Sequence, residues 1–340
     1  MNRVVVAIPN WNGAAELTAC LDSLLAQSYR ELTIVVVDNG SIDESRQIIE
    51  RYAKKDSRVI GIYHDKNYGF TGGVNAGLEY AIAQKVKYAA LLNNDAVAHK
   101  DWVKHLVNFL DSHTTYGIAT CKLLHADGKT FDSSGDQYSI WGLPYPRGRN
   151  EPTSNKYDHL TNVFGASGGA SLYRIDMLKE IGLFDQDFFA YYEDIDISFR
   201  AQLAGWKVAY VPAAEVYHEQ GTTSAKMKDF TVYQSFKNFP IVPVKDVPRG
   251  LIGLIWPRFL LAYAAFFISA VRRGKIVPAL KGIGAFLAML PRKIRQRKEI
   301  QRNKKVSDAY ISSLLLHDLP PDQTKLRALR AKWWKLRGKA

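Results

Sequence analysis

The chain has 340 residues, enough to bury a full core as one large α/β domain or two smaller ones, and 47% apolar residues argue against disorder. The formal charge of +13 is unevenly placed: from Arg249 onward 21 Lys or Arg face 4 acidic residues, leaving 25 against 29 before it. A slightly acidic body thus carries a tail of net +17, suited to an anionic membrane or to nucleic acid. Two distant cysteines, Cys20 and Cys121, imply buried thiols in a reducing compartment rather than a disulfide framework or metal cluster.

Met1-Asn2-Arg3 and the six apolar residues before Asn10 are too short for a signal peptide, so the body is expected in the cytosol. Val4 to Ile8 reads as a buried parallel strand ending in the loop Pro9-Asn10-Trp11-Asn12-Gly13. A helix follows, with Leu17, Cys20, Leu21, Leu24 and Leu25 at core spacing. Leu32 to Val37 is a second strand, ending in Asp38-Asn39-Gly40-Ser41. Ile42 to Tyr52 reads as a helix and Val59 to Tyr63 as a third strand. This alternation predicts a parallel, doubly wound sheet with right-handed crossovers.

Asn67-Tyr68-Gly69-Phe70-Thr71-Gly72-Gly73-Val74-Asn75-Ala76-Gly77 precedes a helical pattern through Leu78, Ala81 and Ile82. Glycines before a helix let backbone N–H groups approach anionic oxygens, although the spacing fits neither the dinucleotide fingerprint nor a Walker loop. A plain glycine-rich turn is the alternative. Val86 to Leu92 is strand-like and ends in Asn93-Asn94-Asp95, where an open α/β sheet places its ligands. Asp95 at such a tip can hold a divalent cation that bridges a diphosphate, or belong to a polar turn.

In this order, Pro9-Asn10-Trp11-Asn12, Val37-Asp38-Asn39-Gly40-Ser41, Asn67-x-Gly69 with Asn75-x-Gly77, and Asn93-Asn94-Asp95 resemble the family 2 glycosyltransferases with the GT-A fold. In that family these pieces bind a nucleotide-diphosphate sugar. The resemblance implies that Pro9, Asn10 and Asn12 lie near the nucleotide and that Asp38 bonds the edge of a pyrimidine base. Asn67, Gly69, Asn75 and Asn94 would complete the nucleotide site. Asp95 would be the metal-binding acid of the Asp-x-Asp motif, with Mg²⁺ or Mn²⁺ as cofactor. Asn93 stands where the motif usually has an acid, which leaves the cation one anionic ligand fewer.

The second half is expected to receive the acceptor. Gly117 to Thr120 resumes the sheet, and His125 to Glu151 is turn-rich, with Trp141, Tyr145, Arg147 and Arg149 among prolines and glycines. Such a segment suits a mobile lid or acceptor loop, or a surface excursion without a ligand. Phe164 to Ala170, with Gly168 and Gly169, is dense in small residues that let the donor sugar or acceptor approach the backbone. Tyr191-Tyr192-Glu193-Asp194-Ile195-Asp196 opens a helix, and acids in a first turn suit the helix dipole. Their mutual repulsion is also explained by a cation or a proton-transfer task. The pattern, ending in Ala204-Gly205-Trp206, is similar to the family's Glu-Asp motif, in which the Asp is general base. That role falls on Asp194, with Glu193 and Asp196 contacting the acceptor or fixing the base.

Val208 to Val211 reads as a last strand, followed by His218 and Gly221-Thr222-Thr223-Ser224. By resemblance His218 coordinates the metal and the Gly-Thr-Thr-Ser stretch closes over the phosphates. Beyond Pro248 the composition changes. Leu251 to Val271 is apolar except for Pro257-Arg258, Ile276 to Leu290 is too short to cross a bilayer alone, and Arg292 to Lys305 is basic. A single span would separate body and tail, yet both belong in the cytosol by substrate and by the positive-inside rule. Two interfacial helices or a shallow hairpin on an anionic membrane resolve this; a true span and a soluble helical pack are the alternatives. No nucleic-acid motif accompanies the basic run.

The expected architecture is therefore α/β: a GT-A body over 1–244, Rossmann-like with a mostly parallel sheet flanked by helices, then a basic amphipathic helical region over 245–340 that associates with the membrane. Within the body, 1–98 is the nucleotide-sugar half and 99–244 the acceptor half. The expected activity is inverting transfer, at the cytoplasmic face of the cell membrane, onto a polyprenyl-diphosphate-linked glycan. The Tyr-Tyr-Glu-Asp-x-Asp motif with this tail resembles the rhamnosyltransferase branch, which implies dTDP-rhamnose as donor. The alternatives are a sugar nucleotidyltransferase, although the first loop lacks the needed basic glycine-rich form, and a membrane-bound nucleotide-sugar sensor without catalysis.

Overall fold

The computed structural model describes residues 3–219, 227, 229–321, 323 and 327–328. Its first part alternates strand and helix: β1 (Val4–Asn10), α1 (Ala14–Leu25), β2 (Leu32–Asp38), α2 (Ser45–Lys55), β3 (Val59–Tyr63), α3 (Gly69–Ala83) and β4 (Tyr88–Leu92). β1 lies between β2 and β4, β2 also pairs with β3, and all these pairings are parallel. The continuous apolar runs reflect burial on both faces. Val4, Val6 and Ile8 face α1, α2 and the helix after β4, whereas Val5 and Ala7 face Val74, Leu78 and Ala81 of α3. α2 starts three residues later than expected, because the Asp43 side chain accepts from the Ser45 N–H and holds the preceding turn outside the helix.

The second part comprises β5 (Ala96–Ala98), α4 (Trp102–Ser112), β6 (Tyr116–His125), β7 (Phe131–Ser133), β8 (Asp136–Tyr138), β9 (Pro144–Pro146), β10 (Thr161–Val163), β11 (Ala170–Arg174), α5 (Ile175–Ile181), α6 (Glu193–Leu203) and β12 (Lys207–His218). β11 runs antiparallel between β4 and β6, and β12 runs parallel to β6. The result is one mixed ten-stranded sheet. Two departures from expectation matter for the site. The segment from His125 to Glu151 is pinned by three short strands and by Arg147 and Arg149, which bond the Ser134 and Asp132 carbonyls. The last strand does not stop at Val211: its register with β6 slips between Val211 and Glu215, and pairing then resumes to His218. Pro212 cannot donate to a ladder, and a bulge tolerates it while re-aiming the rest of the strand.

Among the described residues five named helices follow: α7 (Phe230–Asn238), α8 (Ile241–Lys245), α9 (Ile252–Arg272), α10 (Ile276–Arg302) and α11 (Asp308–Leu314). The boundary expected after Val244 falls inside α8, where Lys245 is buried against Asp185 and Asp196. α9 and α10 form a helical hairpin joined by Arg273–Lys275, and the basic run from Arg292 continues α10 rather than forming a separate segment. α10 lies tightly on α7; a Cβ at Gly282 would stand 2.5 Å from the Tyr233 carbonyl oxygen, so only glycine allows this approach. α9 is long and apolar enough to cross a bilayer. Its Ile255, Phe259, Ala262 and Ala270 nevertheless turn inward. Its other face leaves Leu261 66% exposed, and α10 leaves Val277 58% and Leu287 56% exposed.

Candidate active site

The carboxyl ends of β1, β2 and β4 meet where the strand order reverses around β1, the place an open α/β sheet leaves a crevice. A cleft of about 510 Å³ opens there. Asn10 ties the three tips together: its Oδ1 accepts from Asn94 Nδ2 at 2.8 Å, and its Nδ2 donates to Asp38 Oδ1 and Ser41 Oγ, each at 3.4 Å. Pro9, Asn10, Asn67, Gly69 and Asn94 line the cleft. Asp38 is buried beneath Asn10, outside the lining. Asn12 instead braces the neighbouring loop, with its Oδ1 accepting from the Ile42 N–H. Asn39, to which the sequence assigned no role of its own, donates to Asn67 Oδ1 and to the Gly69 carbonyl and so shapes the start of α3. Gly69 has φ +79°, and a Cβ there would meet the Phe189 carbonyl oxygen at 2.4 Å.

His218 reaches the cleft through the resumed end of β12, where it pairs with Ala96 just beyond the Asn93-Asn94-Asp95 tip. Its Nδ1 bonds Asp132 Oδ2 at 2.7 Å, and its Nε2 lies 3.1 Å from both Asp95 Oδ1 and Asn93 Nδ2. Burial opposes a charge on this imidazole, but bonding to Asp132 and Asp95 outweighs it and lifts the pKa to about 9. Asp132 is itself fixed by Arg149 at 2.6 Å. Although burial works against ionisation of Asp132, His218 and Arg149 hold its carboxyl below the usual range. A carboxylate on Nδ1 that aims Nε2 at a second carboxylate is the usual outer support of a metal-binding histidine.

Among the described residues no group of three or more His, Cys, Asp or Glu converges on one point. Asp95 and His218 nevertheless fit a cation that completes its shell with phosphate oxygens and water, as Mg²⁺ commonly does.

Asp194 faces this cleft from the first turn of α6. The N–H groups of Gly168 and Ile195 donate to its two oxygens at 3.3 and 2.8 Å. Burial raises its pKa despite those donors. Glu193, also on the cleft wall, is pushed well above the ordinary glutamate value by burial and by Asp194 beside it. Asp136 is raised to about 7, first by burial and then by the charge of Asp194. Gly168 and Gly169 line the cleft between Asp194 and Asn93, and Asn93 N–H donates to the Gly169 carbonyl at 2.9 Å.

Besides Asp38 and Asn12, three more expected site residues lie elsewhere. Asn75 does not face the nucleotide cleft; it bridges the Phe184 backbone, donating to the carbonyl at 2.8 Å and accepting from the N–H at 3.1 Å. Asp196, two residues past Asp194, is fully buried between Arg200 at 2.9 Å and Lys245 at 2.5 Å and does not line the cleft. Trp141 packs into the apolar cluster that joins the body to α9 and α11. The Gly221–Ser224 stretch lies outside the described residues. Conversely, Asp132, Phe189 and Phe230 line the cleft without having been singled out; Trp11 and Tyr191 do too, having been named only as members of their motifs, as does Arg149, noted only within the turn-rich segment. For Asp132 no sequence signal existed, since its partner His218 is 86 residues away.

A family model described as "Glycosyl transferase family 2" matches residues 5–182, more than half of the chain. The chain belongs to that family. It is 26% identical over 210 residues to a low-salt glycan biosynthesis hexosyltransferase of Haloferax volcanii, covering 60% of this chain and 64% of that one, so it spans under two thirds of that relative. Among solved structures it resembles S. aureus TarS (residues 1–349) in complex with UDP-GlcNAc, with TM-score 0.56, 19% identity, and 88% and 90% of the two chains covered. A Pyrobaculum calidifontis mannosyltransferase in complex with GDP-Man and Mn²⁺ gives TM-score 0.54, 16% identity, and 88% and 85% covered. At such identities these two likenesses carry the fold, a GT-A-type mixed sheet flanked by helices. The family match stops before α6, so the carboxylates at Glu193 and Asp194 rest on the geometry above.

Proposed function

We propose that the chain is an inverting glycosyltransferase that moves a sugar from a nucleotide-diphosphate donor to a hydroxyl of a lipid-linked or cell-surface glycan. The supporting observation is that Asp194, with its raised pKa, shares one cleft with Asp95, His218 and the strand tips at Asn10 and Asn94. Asp194 takes the proton of the acceptor hydroxyl as that oxygen bonds to the anomeric carbon. The bond from that carbon to the diphosphate oxygen breaks, its electron pair leaves with the nucleoside diphosphate, and configuration inverts. Glu193, whose protonated form is favoured by burial and by Asp194 beside it, could in that form donate a hydrogen bond to the acceptor. Asp95 and His218, with Asn93 beside them, would hold Mg²⁺ or Mn²⁺, which supplies positive charge to a departing diphosphate.

The acceptor reading draws support from the hairpin of α9 and α10. An ordinary surface helix turns its apolar stripe inward, whereas here Leu261, Ile268, Val277, Leu280 and Leu287 remain exposed beside Arg272, Arg273, Lys281 and Arg292. Such a face suits the cytoplasmic surface of an anionic membrane, with a polyprenyl-diphosphate-linked glycan as acceptor. A dTDP-rhamnose donor is supported by the likeness of Tyr191–Asp196 and the basic tail to the rhamnosyltransferase branch. A panel of nucleotide sugars with Mn²⁺, read by diphosphate release, decides the donor. Asp194→Asn should lower that release by roughly 10²- to 10⁴-fold while calorimetric nucleotide affinity stays at the wild-type value. Equal release by both proteins would remove the assignment of Asp194, whereas nucleotide binding with no release by the wild type would favour a nucleotide-sugar sensor.

A further inference from the structure

The turn that delivers Asp194 is unusual. Phe189, Tyr191 and Tyr192 have φ of 62°, 72° and 72°, a left-handed region that bulky side chains rarely enter. Tyr192 is the N-cap of α6, and its side chain makes no capping bond. Such a backbone persists only where its surroundings over-determine it.

The restraint comes from α7, in a part of the chain the family match does not reach. Asn238, fully buried at the end of α7, shares its Nδ2 among the carbonyl oxygens of Phe188, Ala190 and Tyr191 at 2.9, 2.8 and 2.9 Å. Lys237 Nζ adds bonds to the Asp187 and Phe188 carbonyls at 2.9 and 3.1 Å. From the opposite side the Phe189 carbonyl accepts the Thr71 N–H of α3 at 3.1 Å. The turn is thus clamped between the helix that begins at Gly69 in the cleft and the helix that begins at Phe230 in the cleft.

We propose that Asn238 is a positioning residue for transfer: by holding the left-handed turn Phe189–Tyr192 it sets the direction from which Asp194 meets the acceptor hydroxyl. This rests on the reading of Asp194 given above. Asn238 bonds none of the strand tips that carry Asn10, Asp95 and His218, so its effect falls on the chemical step and not on donor binding.

The test compares Asn238→Asp, of equal size but without the donor, with Asn238→Ser, which keeps one donor. Tyr263→Phe is the control, because Tyr263 bonds the Phe236 carbonyl of α7 without touching the turn. Rates are measured on the full chain with Mn²⁺ and the nucleotide sugar it turns over best. Asn238→Asp should lower kcat about a hundredfold, the scale of a 1 Å misplacement, with donor KM unchanged. Asn238→Ser should lose less, giving a graded result even if the Asp variant does not fold, and Tyr263→Phe should keep the wild-type kcat. Unchanged kcat in Asn238→Ser and Asn238→Asp, a parallel rise in donor KM, or an equal loss in Tyr263→Phe overturns the proposal. Should the wild-type chain turn over no nucleotide sugar, the reading of Asp194 fails instead. Hydrogen exchange at 188–192 then still decides the clamp: faster exchange confined to that turn in Asn238→Ser supports it, and unchanged protection overturns it.

Discussion

The sheet from β1 to β4 and the turn that feeds α6 are held in place by opposite means. In the sheet, apolar side chains cover both faces and polar residues are kept for the strand tips, as at Asn10, Asp38 and Asn94. Around the turn, ion pairs and hydrogen bonds are buried among the apolar contacts. Lys293 of α10, with no exposure, pairs with Asp185 at 2.6 Å and Asp187 at 2.7 Å, and Lys245 of α8 pairs with Asp185 and Asp196. Apolar burial is roughly proportional to area and indifferent to direction, so it can stack a regular sheet. Hydrogen bonds and ion pairs fix angles as well as distances, which a turn with three left-handed aromatic residues requires. The C-terminal helices are thus part of the framework of the cleft, although they come after its strand tips in the chain.

The contrast is tested most severely at Lys293. Lys293→Met keeps the apolar stem and removes the charge, leaving Asp185 with Lys245 and Asp187 with Arg292; loss of a buried partner costs up to about 3 to 5 kcal/mol of stability, less where another cation remains. Denaturant unfolding measures it, and a cost within the error of the fit would mean that the ionic cluster is incidental. Next in size is the outward face of the hairpin. Leu261→Ser should weaken binding to anionic vesicles by about 1.5 to 3 kcal/mol, the transfer value of one leucine, with little change in thermal midpoint. Sedimentation with vesicles at the wild-type level would show that this face meets something else. The smallest effect is expected in the nucleotide half. Asn75→Ala leaves the Phe184 N–H and carbonyl without partners and should cost about 1 to 3 kcal/mol while nucleotide affinity is unchanged. A calorimetric loss of nucleotide binding would return Asn75 to the cleft.

Much of the cleft was legible beforehand because its residues sit at the ends of strongly patterned strands. An apolar run that stops at Asn10, at Asp38 or at Asn93 marks a strand tip, and tips of neighbouring parallel strands must be adjacent. Asn75 misled because a polar residue within a glycine-rich helix start looks alike whether it faces a ligand or the backbone of Phe184, which is 109 residues away. As an acceptor contact, one of its two expected roles, Asp196 misled for a related reason: its place in an acidic first turn says nothing of Lys245, which neutralises it from α8. The turn-rich segment from His125 to Glu151 read as a lid, an acceptor loop or a surface excursion, yet it supplies Asp132 and Arg149 as fixed supports of His218.

By itself the sequence determined the parallel alternation of strand and helix, the polar tips of β1, β2 and β4, the acidic opening of α6 and the apolar and basic halves of the C-terminal region. Those are local properties, carried by a repeat of two or about 3.6 residues and by abrupt changes in polarity. The tertiary structure alone decided that β12 bulges to bring His218 to Asp95, a pairing the family resemblance had implied without a route, that Asp132 stands behind it, and that Asn238 and Lys293 hold the turn before Asp194. Each of those contacts joins residues roughly 50 to more than 100 positions apart. Nothing in a short window specifies such a partner; it is chosen by the packing of whole elements and by the need of every buried charge and carbonyl to be met.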